Sequence, residues 1–267
     1  MKVWSVYFSA TGTTEKIVKK VAGTVAEKLE AETDVFDFTL PAARTGVPAF
    51  SEDDVVVFGV PVYAGRVPNV LIKYIASFVG GGAAAVPVVL YGNRNYDDGL
   101  IELRNTLESC GFKTVSAAAF IGEHSFSKTL AAGRPDSADM ELAEEFAEKT
   151  AEKLKGEWQN PVFVKGSDPI RPYYQPRDRQ GNPVNILKVK PKTNEKCVKC
   201  KLCAKSCPMG SISFDDPSAV EGICIKCGAC VKKCPMGAKY YDDAGYLYHK
   251  TELELGYERR AEPELFY

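Results

Sequence analysis

Apolar and polar positions follow two alternating rhythms along this chain. Residues 2–8 (KVWSVYF) make a short, β-rich apolar run, the pattern of a strand buried on both faces. Residues 15–30 then carry apolar side chains at helical spacing. The exchange repeats. Further strands are predicted at 33–38, 54–59, 86–91 and 113–121, and helices at 69–79, 100–110 and 138–154. The last helix has Asp136 or Ser137 as its cap, with Glu and Lys spread over an outer face. Strands that alternate with helices build βαβ units, so the expected fold is α/β: a parallel sheet with helices on both sides.

In such a sheet, ligands collect beyond the carboxyl ends of the strands, and three loops there stand out. After the first strand comes Ser9-Ala10-Thr11-Gly12-Thr13-Thr14. A strand that runs through small hydroxyl residues into a helix start is a candidate anion site, because unpaired backbone N–H groups and the positive helix end face the turn. Gly12 permits close approach, and a phosphate there would meet neutral donors only. A plain N-cap run is the competing reading. The third strand leads into Pro61-Val62-Tyr63-Ala64-Gly65-Arg66, and the fourth into Gly92-Asn93-Arg94-Asn95-Tyr96-Asp97-Asp98. Each of these two loops offers an aromatic, a glycine and an arginine, which suits a flat ring with a hydrogen-bonding edge.

On these three loops and the count of five strands, the first 155 residues resemble a flavodoxin. The resemblance implies FMN, a doubly wound five-stranded sheet of order 2-1-3-4-5, and the three loops (9–14, 61–66 and 92–98) as the cofactor-binding residues. It makes Tyr63 and Tyr96 candidates to touch the ring. It makes the Ala64-Gly65 peptide a candidate to flip and offer its carbonyl to the ring; with a ring there, Arg66 and Arg94 are expected to offset the reduced ring's negative charge. Flavodoxins commonly surround the ring with acidic residues and often a tryptophan. Here Trp4 lies in the first strand and Trp158 lies past the domain. The GxGxxG turn of a dinucleotide site is absent after the first strand, which argues against NAD(P)H there.

From 156 the texture changes. Six prolines (Pro161, Pro169, Pro172, Pro176, Pro183, Pro191) are interleaved with Arg and Tyr, as in a semi-rigid extended linker over 156–192. Pro169-Ile170-Arg171-Pro172 fits PxxP only weakly, and Tyr173 and Tyr174 suit packing across a domain junction. Next comes a repeated pattern: Cys197, Cys200, Cys203 and Cys207-Pro208, then Cys224, Cys227, Cys230 and Cys234-Pro235. Three thiolates at that interval can converge on one inorganic cluster. All-cysteine zinc sites or disulfides are the alternatives, but zinc sites usually space paired cysteines more widely. Lys199, Lys205, Met209 and Gly210 recur as Lys226, Lys232, Met236 and Gly237, so the unit is expected to have pseudo-two-fold symmetry.

Both repeats resemble a bacterial-type ferredoxin carrying two [4Fe–4S] clusters, a small α+β domain over 193–241. In that family the fourth cysteine of each repeat serves the other cluster. The implied ligand sets are therefore crossed: Cys197, Cys200 and Cys203 with Cys234, and Cys224, Cys227 and Cys230 with Cys207. Nine Lys against four Asp or Glu between 192 and 239 would largely neutralise two such clusters. Cys110, the remaining cysteine, reads as a buried small hydrophobe. Residues 242–267 read as a Tyr-rich tail packing on the domains.

Bulk properties narrow the function. The formal charge is −1 and apolar content is ordinary, so no nucleic-acid partner is indicated. No apolar run approaches the about 20 residues that span a bilayer. Cluster thiolates and a start without a secretory apolar region point to a reducing, cytoplasmic setting. Clusters pass one electron at a time and flavin one or two, so the expected function is electron transfer between FMN, two [4Fe–4S] clusters and a redox partner protein. A flavin-dependent reductase of a small substrate, with His124, Tyr63 and Arg94 at the pocket, is the alternative. A redox or oxygen sensor ranks lower, since no DNA-binding motif supports it. No catalytic acid–base set is evident. His124 and His249 read as locally satisfied histidines.

Overall fold

The computed structural model describes residues 1–267. In chain order it contains β1 (Lys2–Tyr7), α1 (Thr13–Leu29), β2 (Glu32–Asp37), β3 (Val55–Pro61), α2 (Asn69–Ile75), β4 (Ala84–Tyr91), α3 (Gly99–Ser109), β5 (Lys113–Thr114), β6 (Ala117–Ile121) and α4 (Ser137–Leu154). The second part adds β7 (Lys192–Thr193), α5 (Leu202–Lys205), α6 (Ala229–Lys232), β8 (Lys239–Tyr240), α7 (Ala244–Gly256) and β9 (Glu264–Phe266).

The large sheet has the order β2-β1-β3-β4-β6-β9, with β5 also on β4. It is parallel except for β9, which runs antiparallel to β6. With β5 and β6 counted as the one strand expected at 113–121, this is the flavodoxin-like order 2-1-3-4-5. The split falls at Thr114, whose carbonyl accepts the N–H of Val162 (3.1 Å) from a distant segment. The helices cover both faces. One layer of the core joins α1 and α4 to the sheet through Ile17, Val21, Phe146 and Ala147. The other joins α2 and α3 through Leu71, Ile75, Leu103 and Leu107. Asp136 caps α4, accepting the Asp139 N–H (3.2 Å), while the Asp139 carboxylate accepts the Asp136 N–H (2.9 Å).

Three regions depart from what the pattern suggested. The helix expected over 69–79 ends at Ile75. There Ser77 turns its hydroxyl onto the Tyr74 carbonyl (2.6 Å), the local competition by which serine ends helices. The stretch 156–192 is not merely strung between units. Val162 and Val164 are buried in the main core, and Asp98 pins the chain further on. The tail does more than pack: its last residues supply β9, which covers the edge of β6 that would otherwise face water.

The small unit is built round two four-residue helices, α5 and α6, and a two-stranded sheet, β7-β8. It leans directly on the large sheet's carboxyl end. Cys227 and Ala229 belong to the main apolar core, with Ile225 packed against it. Lys232 pairs with the Glu123 carboxylate and donates to the Ser127 carbonyl (2.9 Å).

Candidate functional site

The turn after β1 is shaped for an anion. Gly12 sits at the helix N-cap with φ 93°, a left-handed conformation that suits glycine, and offers no capping side chain of its own. Ser9 Oγ accepts the Glu15 N–H (3.0 Å), and Gly12 O accepts the Lys16 N–H (3.1 Å). The backbone N–H groups of Ala10, Thr11, Gly12, Thr13 and Thr14 donate to no protein acceptor. Ala10 and Thr14 are nonetheless buried, and buried amides rarely go without a partner. With the helix dipole behind them, they make a cradle of the kind that takes an anion. Thr11, Thr13 and Thr14 line a cavity there together with Tyr63, Gly92 and His124.

A second cavity of about 220 Å³ opens beside it, sharing Val62, Tyr63, Tyr91, Gly92, His124 and Ser125. Its walls come from six separate stretches: the loops after β3, β4 and β6, the segment through Tyr174 and Leu187, the cluster loop at Ile225 and Lys226, and α7 at His249. The loop after β3 makes a tight turn in which Tyr63 and Arg66 exchange backbone bonds (2.9 and 3.2 Å). Ala64 and Gly65 both have positive φ, 51° and 77°. A Cβ on Gly65 would meet an Asp97 carboxylate oxygen at 2.3 Å, so glycine is required there.

The ring loops divide into cavity lining and scaffold. Val62, Tyr63, Ala64, Gly65, Gly92, Arg94 and Asn95 line the larger cavity, and Pro61 lines the smaller. Arg94 pairs with Asp97 and lies 4.1 Å over the Tyr174 ring. Arg66 does not face the cavity. It forks onto Glu102, lies over Tyr173 (4.7 Å) and donates to the Arg171 carbonyl (2.6 Å). Glu102 is buried, and a buried carboxylate needs a cation. Tyr96 is also turned away: its ring sits in the core against Tyr91, and its hydroxyl donates to Glu264 (3.0 Å).

Asn93 and Asp98 are fasteners. The buried Asn93 amide donates to the Tyr257 and Arg259 carbonyls (2.7 Å each) and accepts the Ala261 N–H (3.2 Å), tying down the tail. The buried Asp98 carboxylate accepts from the Ser167 and Arg171 N–H groups (3.0 and 2.9 Å) and from the Arg171 guanidinium. Those Arg171 hydrogen bonds hold its carboxyl down at about 2. The Ala64 carbonyl, proposed from sequence to turn toward a ring, accepts the Tyr174 N–H (2.8 Å).

His124 carries more than its sequence suggested. Its Nδ1 accepts the Phe126 N–H (3.1 Å), the local bond expected of a loop histidine. Its ring nevertheless lines both cavities. Burial, then the charges of Lys232, His249 and Arg94, push its pKa down to about 3. The imidazole is therefore neutral, with its proton on Nε2. His249 lines the larger cavity, and burial lowers its pKa too. Composition and spacing gave no sign that residues so far apart in sequence would share a wall.

The cysteines gather in two groups around two small apolar cavities. Cys207, Cys224, Cys227 and Cys230 surround one, with Ile212, Ile225 and Tyr241. Cys197, Cys200, Cys203 and Cys234 surround the other, with Val198, Leu202 and Met236. None forms a disulfide, and no three Cys, His, Asp or Glu side chains converge closely enough to hold a single metal ion. Wide sets of four thiols suit a cluster better than zinc. The Ser211 and Ala238 N–H groups reach Cys207 Sγ (3.4 Å) and Cys234 Sγ (3.2 Å), the kind of bond that stabilises cluster thiolates. Cys227 lines both its cluster cavity and the cavity at the phosphate turn.

Comparison with known proteins defines the class. Residues 5–78 match the flavodoxin domain model, and residues 196–238 match the model of the 4Fe–4S dicluster domain. The chain thus joins an N-terminal flavodoxin domain to a C-terminal ferredoxin-type dicluster domain, as in a flavodoxin–ferredoxin fusion. Its cofactors are FMN and two [4Fe–4S] clusters, and it is an electron-transfer flavo-iron–sulfur protein. No curated protein matches it. Among solved structures, similar folds include a flavodoxin from the domain Archaea (16% identity, 58% of this chain and 100% of that one, TM-score 0.42). The Streptococcus pneumoniae TIGR4 flavodoxin matches at 22% identity over 57% and 99% (TM-score 0.41), and oxidised Flavodoxin 1 from Bacillus cereus at 18% over 59% and 99% (TM-score 0.42). No helix is long and apolar enough to cross a membrane.

Proposed function

We propose that this chain carries electrons between FMN, its two clusters and a separate redox protein in the cytoplasm, with residues 1–155 as the FMN domain and 193–241 as the cluster domain. FMN would be held by the 9–14 turn at its phosphate and by 61–65, Gly92, Arg94 and Asn95 around its ring. The crossed sets of cysteines would hold the clusters. When bound, FMN supplies a centre that exchanges one or two electrons, and the clusters supply single-electron centres. The chain's own part is positioning. Tyr63 and the neutral His124 fill the space between the flavin loops and the cluster loop, and Arg94 brings a cation to the ring edge.

The observation that carries this reading is Cys227, whose position on both cavities makes the flavin site and one cluster site neighbours. Anaerobically prepared protein should hold about eight iron and eight sulfide per FMN. Cys227→Ala should then sharply slow reduction of the flavin by a one-electron donor, with the EPR signal of the other cluster retained. A colourless protein, or flavin reduction unaffected by the substitution, would overturn it. A second reading rests on the larger cavity, which is lined by Arg94, His124, Tyr174 and His249. There the flavin would reduce a small acceptor, and steady-state turnover of quinones with reduced ferredoxin distinguishes the two.

A further inference from the structure

The two cluster loops repeat one pattern, but they do opposite things at the surface. In the loop nearer the flavin, Ile225 packs on the main core, Cys227 and Ala229 are buried, and Lys232 pairs with Glu123. Lys226 is half-buried, and its Nζ donates to the Leu187 and Cys224 carbonyls (3.0 and 2.9 Å). Gly228 lies against the Ser125 carbonyl, which a Cβ would approach to 2.4 Å. The exposed positions of this loop are thus already taken, by the flavin domain at Gly228 and Lys232 and by the connection through Leu187 at Lys226.

The equivalent positions of the other loop face water. Val198 is 60% exposed and Leu202 39%, where their counterparts Ile225 and Ala229 are covered. Cys200 is exposed where Cys227 is buried. Lys199, Lys201 and Lys205 are exposed and form no ion pair, as are Lys196 and Lys233 beside Cys197 and Cys234. Nearby carboxylates are few: Glu195, Asp215 and Asp216, the last of which feels Lys199. Five lysines balance these three acids and the formal charge of about −2 on an oxidised four-thiolate cluster, but the lysines stand exposed at the rim while the cluster charge lies behind it. Where the inner loop has Gly228, this one has Lys201. A permanent backbone contact is thereby excluded, and a cation is presented in its place.

We infer that this outer loop is the electron port, and that it docks an acidic one-electron carrier protein whose carboxylates ring an apolar patch over its own redox centre. The inference rests on the electron-transfer reading above. The inner interface is the template: an apolar contact at Val198 and Leu202, as at Ile225 and Ala229, and a carboxylate on Lys205, as Glu123 is on Lys232. One electron crosses per encounter, so the carrier is oxidised by one as the outer cluster is reduced by one. A lysine rim of this kind raises the encounter rate and makes it sensitive to salt.

An acidic two-cluster bacterial-type ferredoxin is the probe. Binding between the two oxidised proteins, measured by calorimetry, should weaken steeply with salt, and K199E/K201E/K205E should weaken it about tenfold or more at low salt. Stopped-flow reduction by the reduced ferredoxin should slow to match. Reduction by a neutral sulfonated viologen should not change, and iron content should stay at wild-type level. K73E/K155E, a charge change away from the clusters, should leave binding intact. Unchanged ferredoxin binding in the triple variant, or an equal loss in K73E/K155E, overturns the port. If the viologen reduces the clusters but not the flavin, the electron-transfer reading fails instead, whatever the ferredoxin does.

Discussion

The two ends of the proposed flavin site are built in opposite ways. At the phosphate end, a single turn of six residues supplies everything: a left-handed glycine, five amides without protein acceptors and the start of α1. At the ring end no single segment suffices. The cavity there needs Tyr63 and Arg94 from the strand loops, Tyr174 and Leu187 from the long connection, Ile225 from a cluster loop and His249 from α7. Even the side chains that hold these pieces lie far apart in sequence, with Asp98 gripping Arg171 and Asn93 gripping the 257–261 backbone. A local site is as stable as its turn. A composite one is as stable as the contacts that gather it, so the two ends should fail separately. Riboflavin, which lacks the phosphate, reports the ring end alone, whereas FMN reports both.

The largest effect should come from Asp98→Ala. This removes a buried acceptor that takes two backbone N–H groups and the Arg171 guanidinium. Arg171 is itself more than half exposed and can return to water, so the loss is chiefly that of the backbone bonds. About 2–3 kcal/mol of stability should go, read by urea unfolding. Residues 161–176 should become sensitive to protease, and riboflavin and FMN affinity should fall by a similar factor. Protection of that segment in the variant would mean that Val162 and Val164 hold it unaided.

A smaller effect with the opposite signature is expected of Gly12→Val. A β-branched residue at φ 93° strains the turn by about 1–2 kcal/mol and displaces the amides. FMN affinity should drop about tenfold or more toward that of riboflavin, while riboflavin binding stays as in wild type. Equal losses for the two ligands would show that the turn also supports the ring end, and the division would not hold.

The same division explains what could be read in advance. The phosphate turn was legible because its chemistry is contiguous: four hydroxyl residues and a glycine between a strand and a helix. The cysteine repeat stood out for the same reason, and in the structure Cys207 shares a cavity with Cys224, Cys227 and Cys230, and Cys234 with Cys197, Cys200 and Cys203. The ring end was not. Arg66 and Tyr96 sit in the right loops by sequence, yet buried Glu102 claims the one and the tail's Glu264 the other. Loop position is a local property, and side-chain direction there is decided by partners tens of residues away. One tertiary fact did leave a trace: Gly228 stands where the repeat has Lys201, which marks the loop that must lie against another backbone.

Acid gives the smallest and most selective test, because the ring end holds the buried histidines. His124 is held at about 3 in the folded chain against an ordinary value near 6.5, burial being the main cause, and His249 is shifted the same way. Below about pH 6.5 the unfolded chain takes up protons that the folded chain refuses, so stability falls as pH drops toward 3. Between about pH 7 and 5.5, His124 alone should remove about 1 kcal/mol, seen as a lower urea midpoint in cluster-loaded, flavin-free protein. His124→Gln should flatten the slope without abolishing it, since His249 still contributes. Gly12→Val should leave the slope unchanged, because the phosphate turn contains no titrating side chain. A slope that survives His124→Gln in full would place the acid-sensitive group elsewhere and remove the electrostatic part of the contrast between the two ends.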